Sequence, residues 1–76
     1  MKDETGIIAV VAANVRRRRK AAGWSQEELG FEAGLDRTYI SQVERKQRNV
    51  TIVVLARLAT ALKTTPAGLL QPLRKS

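Results

Sequence analysis

SQEELGFEAGLDRTYISQVER, running from Ser25 to Arg45, is the stretch whose pattern decides the fold. Ser25 stands three residues before Glu28, the spacing at which each side chain satisfies an orphan backbone amide at the start of a helix. Leu29 and Ala33 then share one face until Gly34, the residue that enters the left-handed turn ending a helix with the least steric cost. Asp36 can cap a second helix running from Arg37 to about Arg45. In it Leu35, Ile40 and Val43 face inward, while Arg37, Thr38, Ser41, Gln42 and Arg45 form an outward face that is polar but carries no acid. The stretch therefore predicts two short helices pivoting on Gly34.

The same periodicity extends outward in both directions. Ile8, Val11, Ala12, Val15 and Ala22 recur at helical steps, predicting a first helix from Ile7 that ends before Gly23. After a polar loop over residues 46–50, Thr51 can cap a fourth helix with Ile52, Leu55, Leu58, Ala59 and Leu62 on a core stripe, and Val53, Val54 and Ala61 widen its apolar face. Thr65 followed by Pro66 is a cap with proline at the first helical position, opening a fifth helix with Leu69 and Leu70 that Pro72 limits. Five helices and no convincing strand predict a compact all-α domain over residues 7–73. Residues 1–6 read as a disordered arm and 74–76 as a basic tail.

The 76 residues are 43% apolar and 28% charged, an ordinary composition for one small soluble domain. A chain this short buries only about 60% of the surface exposed on unfolding, so a partner subunit would help to stabilise it. Fourteen basic residues against seven acidic ones leave a net charge of +7, which favours polyanions. The chain has neither cysteine nor histidine, so thiolate and imidazole metal ligands, disulfides and a cysteine nucleophile are all excluded. Three serines with no histidine in reach, and consecutive surface-type Glu27 and Glu28, do not assemble a catalytic constellation. The expectation is a binding protein, not an enzyme, with no cofactor and no metal. The apolar stretch Ile7 to Ala13 is too short to span a bilayer and lacks the flanks of an export signal, so a cytoplasmic, nucleoid-associated location is expected.

Two short helices joined at Gly34, with small Gly30 where they cross, form a helix-turn-helix, whose second helix can enter a DNA major groove. Here the chain resembles the lambda-repressor/Cro-like helix-turn-helix family. The matching residues run from Val15-Arg16 through Arg19, Gly23, Ser25 to Leu29, Ala33-Gly34-Leu35, Ile40-Ser41 and Glu44 to Leu55, Leu58-Ala59 and Leu62, within residues 10–71. Inside that family the string Leu35 to Ser41, with Glu44-Arg45 and Arg48-Asn49, is similar to the controller proteins of restriction–modification systems. Two positions depart from the pattern: Gly30 stands where the family usually has alanine, and Lys46 where it often has glycine.

The resemblance implies roles residue by residue. Gln26, at the start of the second short helix, would bind a DNA phosphate beside the free amides there. Arg37, Thr38, Ser41 and Gln42 would face base edges, Arg37 suited to guanine and Gln42 to adenine. Arg45, Lys46 and Arg48 would meet the sugar-phosphate backbone, supplying affinity more than sequence discrimination. Each has a plainer alternative, a solvated polar face or basic loop. Tyr39 lies between core and DNA face, so its ring can pack while its hydroxyl reaches a phosphate. The run Arg16 to Lys20 spreads around its helix and reads mostly as a solvated face. Arg19 differs because it lies four residues beyond Val15, on the buried stripe, and the family likeness pairs it with Glu44. Trp24 and Phe31 read as packing residues.

One helix-turn-helix reads only a half-site, so a two-fold partner is expected, with Leu69, Leu70 and Leu73 as the candidate contact. The resulting expectation is a homodimeric, sequence-specific regulator of transcription bound to a double-stranded DNA operator, without membrane contact or small-molecule effector. An antitoxin-like or coactivator-like module that binds a protein is the alternative.

Overall fold

The computed structural model describes residues 3–73, in five helices: α1 (Ile7–Ala21), α2 (Gln26–Ala33), α3 (Arg37–Glu44), α4 (Ile52–Ala61) and α5 (Pro66–Leu70), with no strand among the described residues. The expected basic tail, 74–76, lies outside the described residues, as do positions 1 and 2 of the expected arm. Residues 3–6 correct that expectation, because they form a capping turn. The Asp3 carboxylate accepts from Thr5 Oγ1 (2.7 Å) and from the amides of Gly6 (3.1 Å) and Ile8 (2.8 Å), supplying acceptors to the open start of α1.

The helix boundaries follow the capping residues. Ser25 Oγ accepts from Glu28 N–H at 3.0 Å while Glu28 Oε1 accepts from Ser25 N–H at 2.8 Å, the reciprocal box that the sequence spacing predicts. Asp36, Thr51 and Thr65 each cap the next helix through a side-chain oxygen. The first four helices end alike: the residue that follows a left-handed turn donates to the carbonyl five residues earlier, as in Leu35 N–H to Gly30 O (2.8 Å) and Gln47 N–H to Gln42 O (2.8 Å). Gly34 takes the required left-handed turn at φ 71°, but after α3 and α4 the same turn is made by Lys46 (φ 64°) and Lys63 (φ 57°).

Val15, Leu29, Ile40, Val43, Leu58 and Leu69 are fully buried and draw residues from all five helices into one core. Leu69 is therefore a correction: expected at a dimer contact, it is buried entirely within its own chain. Its helix is too short to hold itself and is fastened by that leucine and by Asn14 of α1. Asn14 is buried, and its Nδ2 donates to the carbonyls of Leu69 (2.9 Å) and Gln71 (2.7 Å), which α5 leaves without intrahelical partners. Sequence periodicity gave no reason to single out Asn14, since a polar residue signals burial only through the partner that satisfies it. Phe31 is the second correction. Trp24 packs partly against the core, but Phe31 on α2 is 84% exposed.

Candidate nucleic-acid interface

α3 presents its outward face clear of the core: Arg37 and Thr38 are exposed, and Ser41 and Gln42, one turn on, are half-buried. Ile40 and Val43 on the opposite face anchor the helix, so these four side chains are held by a rigid element. Asp36 accepts from Thr38 N–H at 2.8 Å, and its carboxyl is held below the usual range by hydrogen bonds from Thr38 and by the charge of Arg37. Beside it, α2 offers its N-terminus. The first intrahelical bond there is from Leu29 N–H to Ser25 O (3.1 Å) and Ser25 Oγ takes the Glu28 amide, so the amides of Gln26 and Glu27 stand ahead of the hydrogen-bonded turns.

The basic segment after α3 is tied to the helix it follows. Arg48 Nε donates to Gln42 Oε1 at 2.8 Å, and its guanidinium lies 4.8 Å above the centroid of the Tyr39 ring, within cation–π range. Arg45 Nε donates to Ser41 O at 3.4 Å, and Lys46 is exposed on the left-handed turn. Tyr39 is half-buried with its ring against the core, so the packing half of its expected role is present in the structure. Sequence reading missed the grip of Arg48 on Gln42 and Tyr39. The three residues are joined across the end of a helix, where no periodic rule applies.

Beneath this face lies an ion pair. Arg19 Nε and Nη2 donate to Glu44 Oε2 (2.6 Å) and Oε1 (3.0 Å), a bidentate arrangement, and Nη1 donates to Trp24 O at 2.8 Å. Gln26 Nε2 donates to Glu44 Oε1 at 3.2 Å. One carboxylate thus joins α1, the N-terminus of α2 and the C-terminus of α3, and it sets the direction of the glutamine expected at a phosphate. The contact between Gln26 and Glu44 was not foreseen; it occupies one of the two amide hydrogens of Gln26 and leaves the other for a ligand.

Burial would raise the Glu44 carboxyl, but hydrogen bonds from Arg19 and Gln26 and the charges of Arg19 and Arg16 hold it below the ordinary carboxylate range. The hydrogen bond to Glu44 in turn raises the Arg19 guanidinium. A group depressed in the folded state adds stability above its unfolded pKa, and that stability is lost as pH falls through the folded value. The melting temperature should accordingly stay level through neutrality, where no histidine titrates, and fall once pH drops below about 4.3. Asp3 and Asp36, both also depressed, add to the same acid limb. Thermal melts across that range should show a shallower acid limb for Glu44→Gln, at a lower plateau; an unchanged limb would remove Glu44 from this account.

A family model described as helix-turn-helix matches residues 15–69. A hypothetical transcription factor of Neisseria meningitidis serogroup B is 46% identical over 72 residues, spanning 95% of this chain and 68% of that protein. The control protein C.SmaI of Serratia marcescens is 51% identical over 64 residues, 84% of this chain and 76% of its own. Among solved structures, the restriction-modification controller protein C.Esp1396I, a tetramer in complex with its natural 35 base-pair operator, superposes with a TM-score of 0.78 at 33% identity over 87% of each chain.

Proposed function

Because the chain belongs to the lambda-repressor-like helix-turn-helix family, we propose that it is a sequence-specific, double-stranded DNA-binding regulator of transcription that controls a restriction–modification operon. The observation that carries this reading is the face of α3, where Arg37, Thr38, Ser41 and Gln42 project from a helix pinned to the core and flanked by the α2 N-terminus and the basic turn. α3 enters the major groove. Arg37 reads guanine through O6 and N7, and Gln42 reads adenine through N6 and N7. Arg45, Lys46 and Arg48 lie along the backbone, and the free amide hydrogen of Gln26, with the first-turn amides of α2, takes a phosphate. The Tyr39 hydroxyl reaches an adjacent phosphate while its ring stays packed.

Gln42 enters DNA with its carbonyl oxygen already held by Arg48. The second lone pair of that oxygen accepts from adenine N6 with Arg48 still in place, so Arg48 orients the amide for readout while its remaining guanidinium N–H groups meet a backbone phosphate. Base readout by Gln42 and phosphate binding by Arg48 are in this way one event.

The protein acts as a homodimer on a two-fold-symmetric operator, since one module covers only a half-site. With Leu69 consumed by the core, the contact is made by Leu70 and Leu73 together with Ile7 and with Ile52, which is 83% exposed at the start of α4. Occupancy then follows protein concentration through dimerisation, with no effector required. No helix of the described residues is long and apolar enough to cross a membrane. The relatives compared are control proteins and a transcription factor, not enzymes.

Selection of duplexes from a random pool tests the proposal. The wild type should enrich a two-fold-symmetric site, and Arg37→Ala or Gln42→Ala should each relax it at defined bases, by about 1–3 kcal/mol of discrimination. Binding to any duplex with only a dependence on salt would overturn the proposal and favour a module whose partner is a protein.

A further inference from the structure

Arg18 departs from the rest of the basic run on α1. Arg16, Arg17 and Lys20 are exposed, whereas Arg18 is half-buried and its Nε is removed from water without an acceptor among the described residues. A buried donor left unpaired is rare and costly in a folded protein, so it marks a place that a ligand can satisfy. Its surroundings are built for an anion. Asn14, Arg17 and Arg18 stand at i, i+3 and i+4 along one face of α1 and, with Gly68, Gln71 and Leu73, line a cleft of about 480 Å³ against α5. Gly68 leaves the α5 wall bare beside the guanidinium, since a Cβ there would come within 3.7 Å of Arg18 Nη2. Two guanidinium groups thus share a cleft that no carboxylate lines, and the ion pair among the described residues joins Arg19, not Arg18, to Glu44.

We propose that this α1–α5 cleft binds the phosphate group of a small ligand, held between Arg17 and Arg18. Charge and valence select the class. A phosphate monoester carries about −1.5 to −2 at neutral pH and offers three acceptor oxygens, so it can take the buried Nε–H of Arg18 together with an Nη–H as a fork and still engage Arg17. A carboxylate brings one charge and two oxygens, which one guanidinium already satisfies. The Gln71 side and the apolar edge at Leu73 leave room for the body that carries the phosphate. Position separates the cleft from the proposed operator face, because no residue of α2, α3 or the basic turn lines it. Arg16, on the other side of α1, instead lends its charge to Glu44. Leu73 is shared with the proposed dimer contact, but the Arg17–Arg18 pair is not, so the site stands whether or not that reading of the dimer holds.

Titration of isotopically labelled protein with inorganic phosphate, at an ionic strength held constant with sodium chloride, tests the site through the Arg18 Nε–H and Gly68 amide resonances. Both should move along one saturating curve in the wild type. Read at Gly68, saturation should disappear in Arg18→Gln and weaken about tenfold or more in Arg17→Gln. Arg57→Gln, an equal loss of charge on the exposed side of α4, should leave the curve unchanged. The Nε of Arg18 has no partner to lose, so Arg18→Gln should melt with the wild type. Acetate should bind at least about tenfold more weakly than phosphate. Shifts that stay linear in phosphate, or that Arg57→Gln reduces as much as Arg18→Gln does, would reveal general attraction to a basic surface and overturn the proposal. Acetate binding as tightly as phosphate would overturn the ligand class. Duplex DNA of arbitrary sequence supplies the last arm: if it moves the Arg18 Nε–H resonance where inorganic phosphate does not, the cleft takes a backbone phosphate and the small-ligand proposal falls.

Discussion

Arg19→Ala is expected to lose about 3–5 kcal/mol of folding stability, because it strands the Glu44 carboxylate in a site where it is 8% exposed and its remaining partner is the Gln26 amide. For a domain of this size that is a fall in melting temperature of at least about 12 °C. The loss reflects the penalty of an unpaired buried charge more than the net worth of the pair, and a double variant separates the two. Arg19→Met/Glu44→Leu should recover most of the stability, since desolvating both charges offsets much of their attraction. It should still bind operator more weakly than wild type, because Gln26 no longer has the Glu44 oxygen that orients it. Denaturant melts of the two single variants and the double one measure the coupling. An Arg19→Ala protein that melts with the wild type would show that the pair at 2.6 Å contributes nothing.

Gly30→Ala should be destabilising by about 1–3 kcal/mol, although alanine is the better helix former by roughly 0.5–1 kcal/mol. Propensity and packing here have opposite signs, and the magnitudes decide between them. A Cβ at Gly30 would stand 2.5 Å from the Leu35 carbonyl oxygen and 3.4 Å from the Arg37 amide, both backbone atoms of the turn and the start of α3. Nothing there is a flexible side-chain end, so α3 itself must move. The denaturant midpoint should fall with an unchanged slope, and operator affinity should fall with it, because the displaced element carries Arg37 and Thr38. A midpoint equal to or above wild type would mean that the helix crossing relaxes cheaply, and the propensity term would then have won.

These two positions mark where sequence reasoning stopped. The Arg19 position was legible: a charge on the stripe that also holds Val11, Ala12 and Val15 has to be paired if it is buried. The resemblance supplied Glu44 as its partner, but the third member, Gln26, emerged only when α2 and α3 were set side by side. At Gly30 the departure from alanine was visible, while its consequence hung on a distance across a helix crossing.

The leucines near the C-terminal end of the fold show the same limit. Leu69, Leu70 and Leu73 are alike as sequence signals, because apolar character predicts removal from water without saying whose surface removes it. Leu69 is fully buried, whereas Leu70 and Leu73 remain about half exposed at 40% and 48%. Phe31 was misread for the converse reason: on a helix of eight residues the buried positions are Leu29, Gly30 and Ala33, too few to show which side of the helix an adjoining aromatic takes.

The sequence by itself determined the five helices, the caps that start the last four, the turn at Gly34 and the polar face of α3. Each of those follows from interactions between residues no more than about four apart, which spacing records directly. Only the tertiary structure decided that Leu69 closes the core, that Asn14 holds α5, that Arg48 grips Gln42, and that Phe31 is left in water. Those outcomes depend on which surfaces meet, and burial and hydrogen-bond satisfaction are properties of the assembled neighbours, not of any one segment.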